Sequence, residues 1–351
     1  MPVPDELLRS LRSVVSDADH PPVKGKLEPS AEEIKRSAPP RAANPDEMDG
    51  PEDLGATRDS SDTRDRLPSV AWPASDDDAP DYAHLVPGGR ESKVGDAEFD
   101  LGADALEALI RANGFEPAGY DDRFVFGLRG AELVGRDTAE IVDRIRLKEV
   151  RPDHRNFRCT IGYYNRRTRK LSAYRASTVP NADYMTNFYK LANDVGSYKQ
   201  TKANLLPTGC YVYRVGTHGG GAINPALRLT DPERLTEDGV VTVLRTSNDL
   251  TFKVDDTWDK CQPMDNIHCA YAMESFSSAG CQTIRGPDEE GPWGRFQSVL
   301  KGLRVNTRLD YMLLTGREAS IAAYLQGQGR DKDAELVGRY LGRLRHGSCG
   351  E

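Results

Sequence analysis

"FRCTIGYYNRRTRKLSAYRAST" runs from Phe157 to Thr178. Apolar and polar residues alternate through "FRCTIGYYN" and again through "KLSAYRAST", with "RRTR" between them. A period of two places successive side chains on opposite faces of a sheet. The pattern therefore predicts a β-hairpin with a charged turn. The arginines of that turn read as solvated, not as a binding patch.

Working outward, "TGCYVYRVGTHGGG" is a further strand running into a glycine-rich loop. "GVVTVLRTS" and "LTFKV" read as two more, split by Asn248-Asp249. Upstream, "RFVFGLRGAELV" is a strand broken at Gly127 or Gly130, and "DALEALIRANGFEP" puts Leu106, Leu109 and Ile110 on one face of a short helix. Asn113-Gly114 is the stop signal of that helix. "DKDAELVGRYLGRLRHG" places Leu336, Val337, Tyr340, Leu341 and Leu344 on one face, acidic at its start and basic at its end, as a helix dipole favours. The fold class expected is mainly β with flanking helices, α+β, with the β core over about residues 157–286. Trp293 in "GPWGRF" is expected to pack against that core.

Charge divides the chain. Residues 1–98 carry 12 Lys+Arg against 22 Asp+Glu and thirteen of the 22 prolines, while 99–351 carry 35 basic against 33 acidic residues. The first stretch cannot bury enough apolar surface to offset the entropy of ordering it, which predicts a long disordered N-terminal tail. Leu7, Leu8, Leu11, Val14 and Val15 follow helical spacing within it, so residues 1–15 are a candidate docking peptide for a protein partner. The near-neutral remainder gives no electrostatic case for nucleic acid. No stretch approaches eighteen apolar residues, so no membrane span is expected. The start "MPVPDELLRSLRSVV" lacks the layout of a signal peptide, which predicts a cytoplasmic protein. The expected organisation is a tail over 1–98, a small helix and strand segment over 99–150, a catalytic domain over 151–318 and a helical segment over 319–351.

The chemistry concentrates in "NIHCAYAMESFSSAGCQTIRG", Asn266 to Gly286. It brings together His268, Cys269 and Cys281 in a chain that has only six cysteines and six histidines. Three readings stand: a buried cluster, a metal site, or a nucleophile with its base. A cysteine attacks as the thiolate, and a nearby imidazole assists by taking the proton. Ser278, Ala279 and Gly280 are small, so they let a substrate backbone approach Cys281. His268 and Cys269 are neighbours on an extended segment and should face opposite ways, which argues against both binding one metal and puts Cys269 in the core. Six scattered cysteines without a CxxC pair are neither a disulfide scaffold nor a zinc knuckle, so neither metal nor cofactor is expected. His218 opens "HGGG", but no G-x-S-x-G is present to make a serine hydrolase of it. Residues 217–224 then read as a flexible loop bordering the cleft, with His218 as a substrate contact. Asp265 is a candidate to orient His268 or to bind a substrate amine.

His268 followed by Ser278-x-Gly280-Cys281 resembles the signature of the L,D-transpeptidases, the YkuD-like catalytic domain. "LPTGCYVY", Leu206 to Tyr213, is similar to that family's Thr-Pro-x-Gly-x-Phe strand, and "LSAYRAST" occupies the place of the strand before it. The family carries a histidine where Ala279 stands. The chain also looks like a group of bacterial and phage proteins. That group has "FGLRG", "RCTIG", an N-x-H element, "SAGCQ", "GPW" and "LLTGR" in order. Here these are Phe126–Gly130, Arg158–Gly162, Asn266–His268, Ser278–Gln282, Gly291–Trp293 and Leu313–Arg317. The resemblance implies a β-sandwich and cysteine acyl transfer on peptidoglycan stem peptides or another peptide. It implies Cys281 as nucleophile, His268 as base and the Cys269 carbonyl as its support. The N–H groups of Gly280 and Cys281 would form the oxyanion hole, and Arg285 would hold a substrate carboxylate. A wall substrate would then require delivery by a non-classical route.

Overall fold

The computed structural model describes residues 98–113, 115, 122–152, 154–182, 184–185, 203–218, 225–245, 258–286, 290–327 and 329. The N-terminal tail, the docking peptide, the "LTFKV" strand and the helix expected over 331–347 lie outside these residues.

The opening hairpin forms as its alternation requires. β6 (Cys159–Asn165) and β7 (Lys170–Ser177) pair antiparallel, with Cys159 opposite Ala176 and Asn165 opposite Lys170. Its charged turn is less free than expected. Arg166 grips Glu107 at 2.8 Å and Arg169 bonds Asp104, both on the first helix, α1 (Ala103–Ala112).

The hairpin belongs to a sheet of nine strands. Besides β6 and β7 these are β2 (Arg123–Arg129), β4 (Thr138–Val142), β9 (Gly209–Thr217), β10 (Pro225–Leu229), β13 (Asn266–Cys269), β14 (Gln282–Ile284) and β15 (Arg308–Thr315). Their order is β14-β13-β10-β9-β15-β2-β6-β7-β4. β14 also pairs with β7, Thr283 opposite Ser177, so eight of the strands close on themselves and β4 shares the edge of β7. Closure pairs an edge that would otherwise expose unpaired N–H and C=O groups. Two three-stranded sheets flank it. One is β1 (Glu98–Gly102), β5 (Arg144–Glu149) and β3 (Ala131–Leu133). The other is β12 (Trp258–Cys261), β11 (Val241–Arg245) and β8 (Asn204–Leu205).

Both faces of the large sheet are covered, and alternate residues show it. Phe124, Phe126 and Leu128 of β2 and Met312 and Leu314 of β15 pack into one core with α1 and with Ala319 and Ala322 of α3 (Gly316–Gly327). Val125 of β2 and Leu309, Tyr311 and Leu313 of β15 face the other way. They join Tyr174, Tyr213, Ile267 and Ile284, with Trp293 and Phe296 of α2 (Pro292–Leu300). Full burial of a Leu or Phe side chain contributes about 1.5–3 kcal/mol, so two continuous cores hold the chain. Burial on both faces also explains why β2 reads as a nearly unbroken apolar run.

The mainly β, α+β class holds, and Trp293 lies in the core as expected. The division at residue 150 does not hold. β2 runs parallel to β15 and antiparallel to β6, so the 99–150 segment supplies a central strand of the main sheet, not an accessory piece. The break in "RFVFGLRGAELV" falls at Gly130, which has φ +75°, while β2 passes through Gly127. Among the described residues no helix is long and apolar enough to cross a membrane.

Candidate active site

β13 and β14 run side by side in parallel, with Ile267 opposite Gln282 and His268 opposite Thr283. Ile267, Cys269 and Ile284 point into the core. Alternation then puts Asn266 and His268 on the opposite face, together with Thr283 and, one step before β14, Cys281. Cys281 falls beside Asn266, whose backbone N–H lies 3.4 Å from Sγ. An N–H aimed at sulfur favours the thiolate. The Met264 carbonyl, 3.7 Å away, accepts from the thiol form. His268 is 2% exposed and Cys281 is half-buried, so the cysteine is the better exposed residue of the pair.

The imidazole of His268 is fixed by its own strand end. Nδ1 lies 2.6 Å from the Cys269 carbonyl. A carbonyl only accepts, so Nδ1 carries the hydrogen and Nε2 keeps its lone pair. Nε2 has no hydrogen-bond partner among the described residues. Burial pushes the His268 pKa well below the usual histidine value, and the neighbouring His218 adds to this. The ring is therefore a neutral base at neutral pH.

His218, at the end of β9, stacks on His268 with ring centroids 4.1 Å apart and 5° between planes. The Asn266 amide donates to His218 Nδ1 at 2.9 Å, which leaves the hydrogen of His218 on Nε2. His218 is 5% exposed. The structure thus places this expected substrate contact flat against the His268 ring. Residues 219–224 of the glycine-rich loop lie outside the described residues.

The small residues before Cys281 are tied down closely. Ser278 Oγ donates to the Cys281 carbonyl at 2.7 Å and accepts from the Gly280 N–H at 3.0 Å. The Ser278 carbonyl accepts from Asn181 N–H at 2.8 Å, and the Ala279 carbonyl from Asn204 N–H at 2.9 Å. Ser278 therefore shapes the loop. The expected oxyanion hole needs correction, because the Gly280 N–H is already engaged by that hydroxyl.

Two more expectations change. Asp265 does not reach His268. It is 1% exposed, accepts from Tyr213 Oη at 3.1 Å and from Gln282 Nε2 at 3.2 Å, and sits behind the site. Arg285 is likewise placed elsewhere. Its guanidinium bonds Asp137 at 2.6 Å, the Met273 carbonyl at 2.5 Å and Glu274 at 3.1 Å, so it pins the loop to the β4 side.

Desolvation raises the Asp265 pKa to about 7, opposed by the hydrogen bonds from Tyr213 and Gln282. A carboxyl whose folded pKa is raised contributes stability below its unfolded pKa and loses it as pH rises through the folded value. His268, depressed in the fold, works in the opposite sense, gaining stability as pH rises through about 6.5. Asp265→Asn removes the first effect alone. Between pH 6 and 8 wild type should lose about 1 kcal/mol relative to Asp265→Asn, read from urea melts at the two pH values. A constant difference between the two proteins would contradict a titrating Asp265.

Sequence reasoning missed Asn204, and it saw Asn266 and Gln282 only as parts of motifs. Among the cysteines, Cys210 is disulfide-bonded, and Cys159, Cys261, Cys269 and Cys281 carry free thiols. Burial pushes the thiols of Cys159 and Cys261 up, so neither is a competing nucleophile. Among the described residues no group of three or more His, Cys, Asp or Glu is placed to hold a metal. No family model, no curated protein and no solved structure matches the chain.

Proposed function

We propose that the chain is a cysteine acyl-transfer enzyme of the L,D-transpeptidase type. It acts on peptidoglycan stem peptides, as transpeptidase or peptidase, with Cys281 as nucleophile and His268 as base. The observation that carries this reading is the 2.6 Å bond from His268 Nδ1–H to the Cys269 carbonyl. It leaves Nε2 as an unpartnered lone pair on the face that carries Cys281. The likeness of the His268…Ser278-x-Gly280-Cys281 pattern to that family supplies the substrate class.

Sγ attacks the acyl carbon while its proton passes to His268 Nε2. The leaving amine takes that proton as the tetrahedral intermediate collapses to a thioester. An acceptor amine or water then attacks the thioester, again with Nε2 as base. Because burial keeps His268 neutral in the resting site, its Nε2 lone pair is there to take the thiol proton during attack.

A carbapenem tests the reading directly, since its strained amide acylates such cysteines. Incubation should add one carbapenem mass to the peptide that holds Cys281 and leave the Cys159, Cys261 and Cys269 peptides unmodified. The adduct should be missing in Cys281→Ala. An unmodified wild-type protein, together with no turnover of stem peptides, would favour a binding domain that keeps the fold without the chemistry.

A further inference from the structure

One polar side chain against Gly280, the residue before Cys281, makes no hydrogen bond in the fold. Asn204, on β8, is 7% exposed, and its Oδ1 is buried without a donor. Its amide makes no hydrogen bond among the described residues. Yet it is held firmly. Its backbone N–H bonds the Ala279 carbonyl at 2.9 Å, and Asn204 pairs with Arg245 of β11. The amide presses on Gly280, the residue before Cys281. A Cβ built on Gly280 would lie 2.1 Å from Oδ1, 2.5 Å from Cγ and 2.8 Å from Nδ2. Gly280 is not in the left-handed region. Glycine is needed there for the approach of this amide, not for its backbone angles. A buried amide without a partner is costly, so its retention against the nucleophile loop points to a partner that arrives with the substrate.

Acyl transfer supplies such a partner. The Gly280 N–H is engaged by Ser278 Oγ, so the loop is one donor short of the hole the chemistry needs. We propose that the Asn204 side-chain amide is an oxyanion donor for acyl transfer at Cys281, an inference that rests on the acyl-transfer reading above. As Sγ bonds the carbonyl carbon, the C=O π pair moves onto oxygen and the thiol proton moves to His268 Nε2. Nδ2–H of Asn204 donates to that oxygen. A half-turn about χ2 exchanges the two ends of the amide and brings Nδ2 to the place of Oδ1. Collapse re-forms the C=O bond and expels the leaving group, which takes the proton from His268. The donor serves any ester, thioester or amide carbonyl that reaches the sulfur.

The test separates a reaction that forms an oxyanion from one that does not. 4-Nitrophenyl acetate acylates a thiol through a tetrahedral oxyanion, whereas iodoacetamide alkylates it by displacement. Wild type should give a burst of about one equivalent of 4-nitrophenolate that Cys281→Ala lacks. Asn204→Ala should lower the rate of that burst by roughly 10²–10³-fold, the loss seen when a single oxyanion donor is removed, with alkylation of Cys281 changed by no more than about twofold. Asn204→Asp, which keeps the shape but brings a carboxylate to the oxyanion, should lower the ratio of acylation to alkylation by at least about tenfold. A ratio equal to wild type in both variants overturns the proposal and leaves the nucleophile standing. A parallel fall in both rates assigns Asn204 to the packing of the loop and also overturns it. No Cys281-dependent burst in wild type would instead sink the acyl-transfer reading itself.

Discussion

His268→Ala is expected to slow carbapenem acylation of Cys281 by about 10²–10⁴-fold at pH 7, the range that a positioned general base supplies. The variant removes the Nε2 lone pair, the one ring nitrogen left to act as a base, since Nδ1 is held by the Cys269 carbonyl. The pH profile distinguishes this role from a structural one. An ordinary histidine would lose its basic form as pH falls through about 6.5. Burial and the stacked His218 depress the His268 pKa well below that value. The base therefore stays unprotonated in mild acid, and the acid limb of the acylation rate should lie clearly below pH 6.5. The alanine variant should lack that limb, because the imidazole that titrates there is gone. Rapid-quench mass spectrometry of the Cys281 peptide from pH 4.5 to 8 reads both quantities. A loss smaller than about tenfold, or a limb centred near 6.5, would remove His268 from the role of base.

The fold was legible where one physical pattern dominated. The alternation in "FRCTIGYYN" and "KLSAYRAST" needs only a half-buried strand to be read, and β6 and β7 followed it. Burial on both faces erased alternation in β2, so Phe124–Leu128 gave no clue that it was central, and the segment up to residue 150 looked accessory. The parallel pairing of β2 with β15 joins residues far apart in sequence, which no local pattern encodes. In the site, His268 and Cys281 stood out because their chemistry is rare in this chain. The support of His268 by the Cys269 carbonyl came from resemblance, and the geometry matches it. Asn204 was invisible and Gln282 was seen only as the end of "SAGCQ", because an asparagine or glutamine is common and its meaning lies in what it touches. Arg285 was misplaced for a related reason. A guanidinium near a reactive cysteine in sequence looks like a carboxylate clamp until Asp137, from the bend before β4 and much earlier in the chain, is seen to hold it.

The network behind the site makes Gly127→Ala the most destabilising small substitution expected in β2. A Cβ at this position would lie 2.0 Å from Tyr311 Oη, 2.8 Å from Cζ and 3.0 Å from Leu313 Cδ1. Tyr311 has nowhere to go. It is fully buried, its ring meets Tyr213 edge-on at 5.3 Å, and its hydroxyl donates to Gln282 Oε1 at 3.4 Å. Overpacking a closed core costs about 1–3 kcal/mol or somewhat more, and losing the buried hydroxyl's partner adds about 1 kcal/mol. The sum, about 3 kcal/mol, corresponds to a fall of roughly 10 °C in Tm for a folded region of this size. Gly135→Ala is the control. Gly135 has φ +70° with nothing within 4 Å of the added carbon, so only the left-handed backbone is strained, at about 1–2 kcal/mol. Tyr311→Phe takes away the atom that Gly127→Ala strikes first. The double variant should therefore be more stable than the two single losses predict by about 1 kcal/mol, which a thermodynamic cycle measures. Simple additivity would mean that β2 yields instead of the tyrosine. The cycle also reports on the site. Tyr311 holds Gln282, Gln282 holds Asp265, and Gln282 follows Cys281 directly in β14. A tyrosine displaced by the new methyl should slow acylation of Cys281 along with the loss in stability, and the double variant should recover part of both.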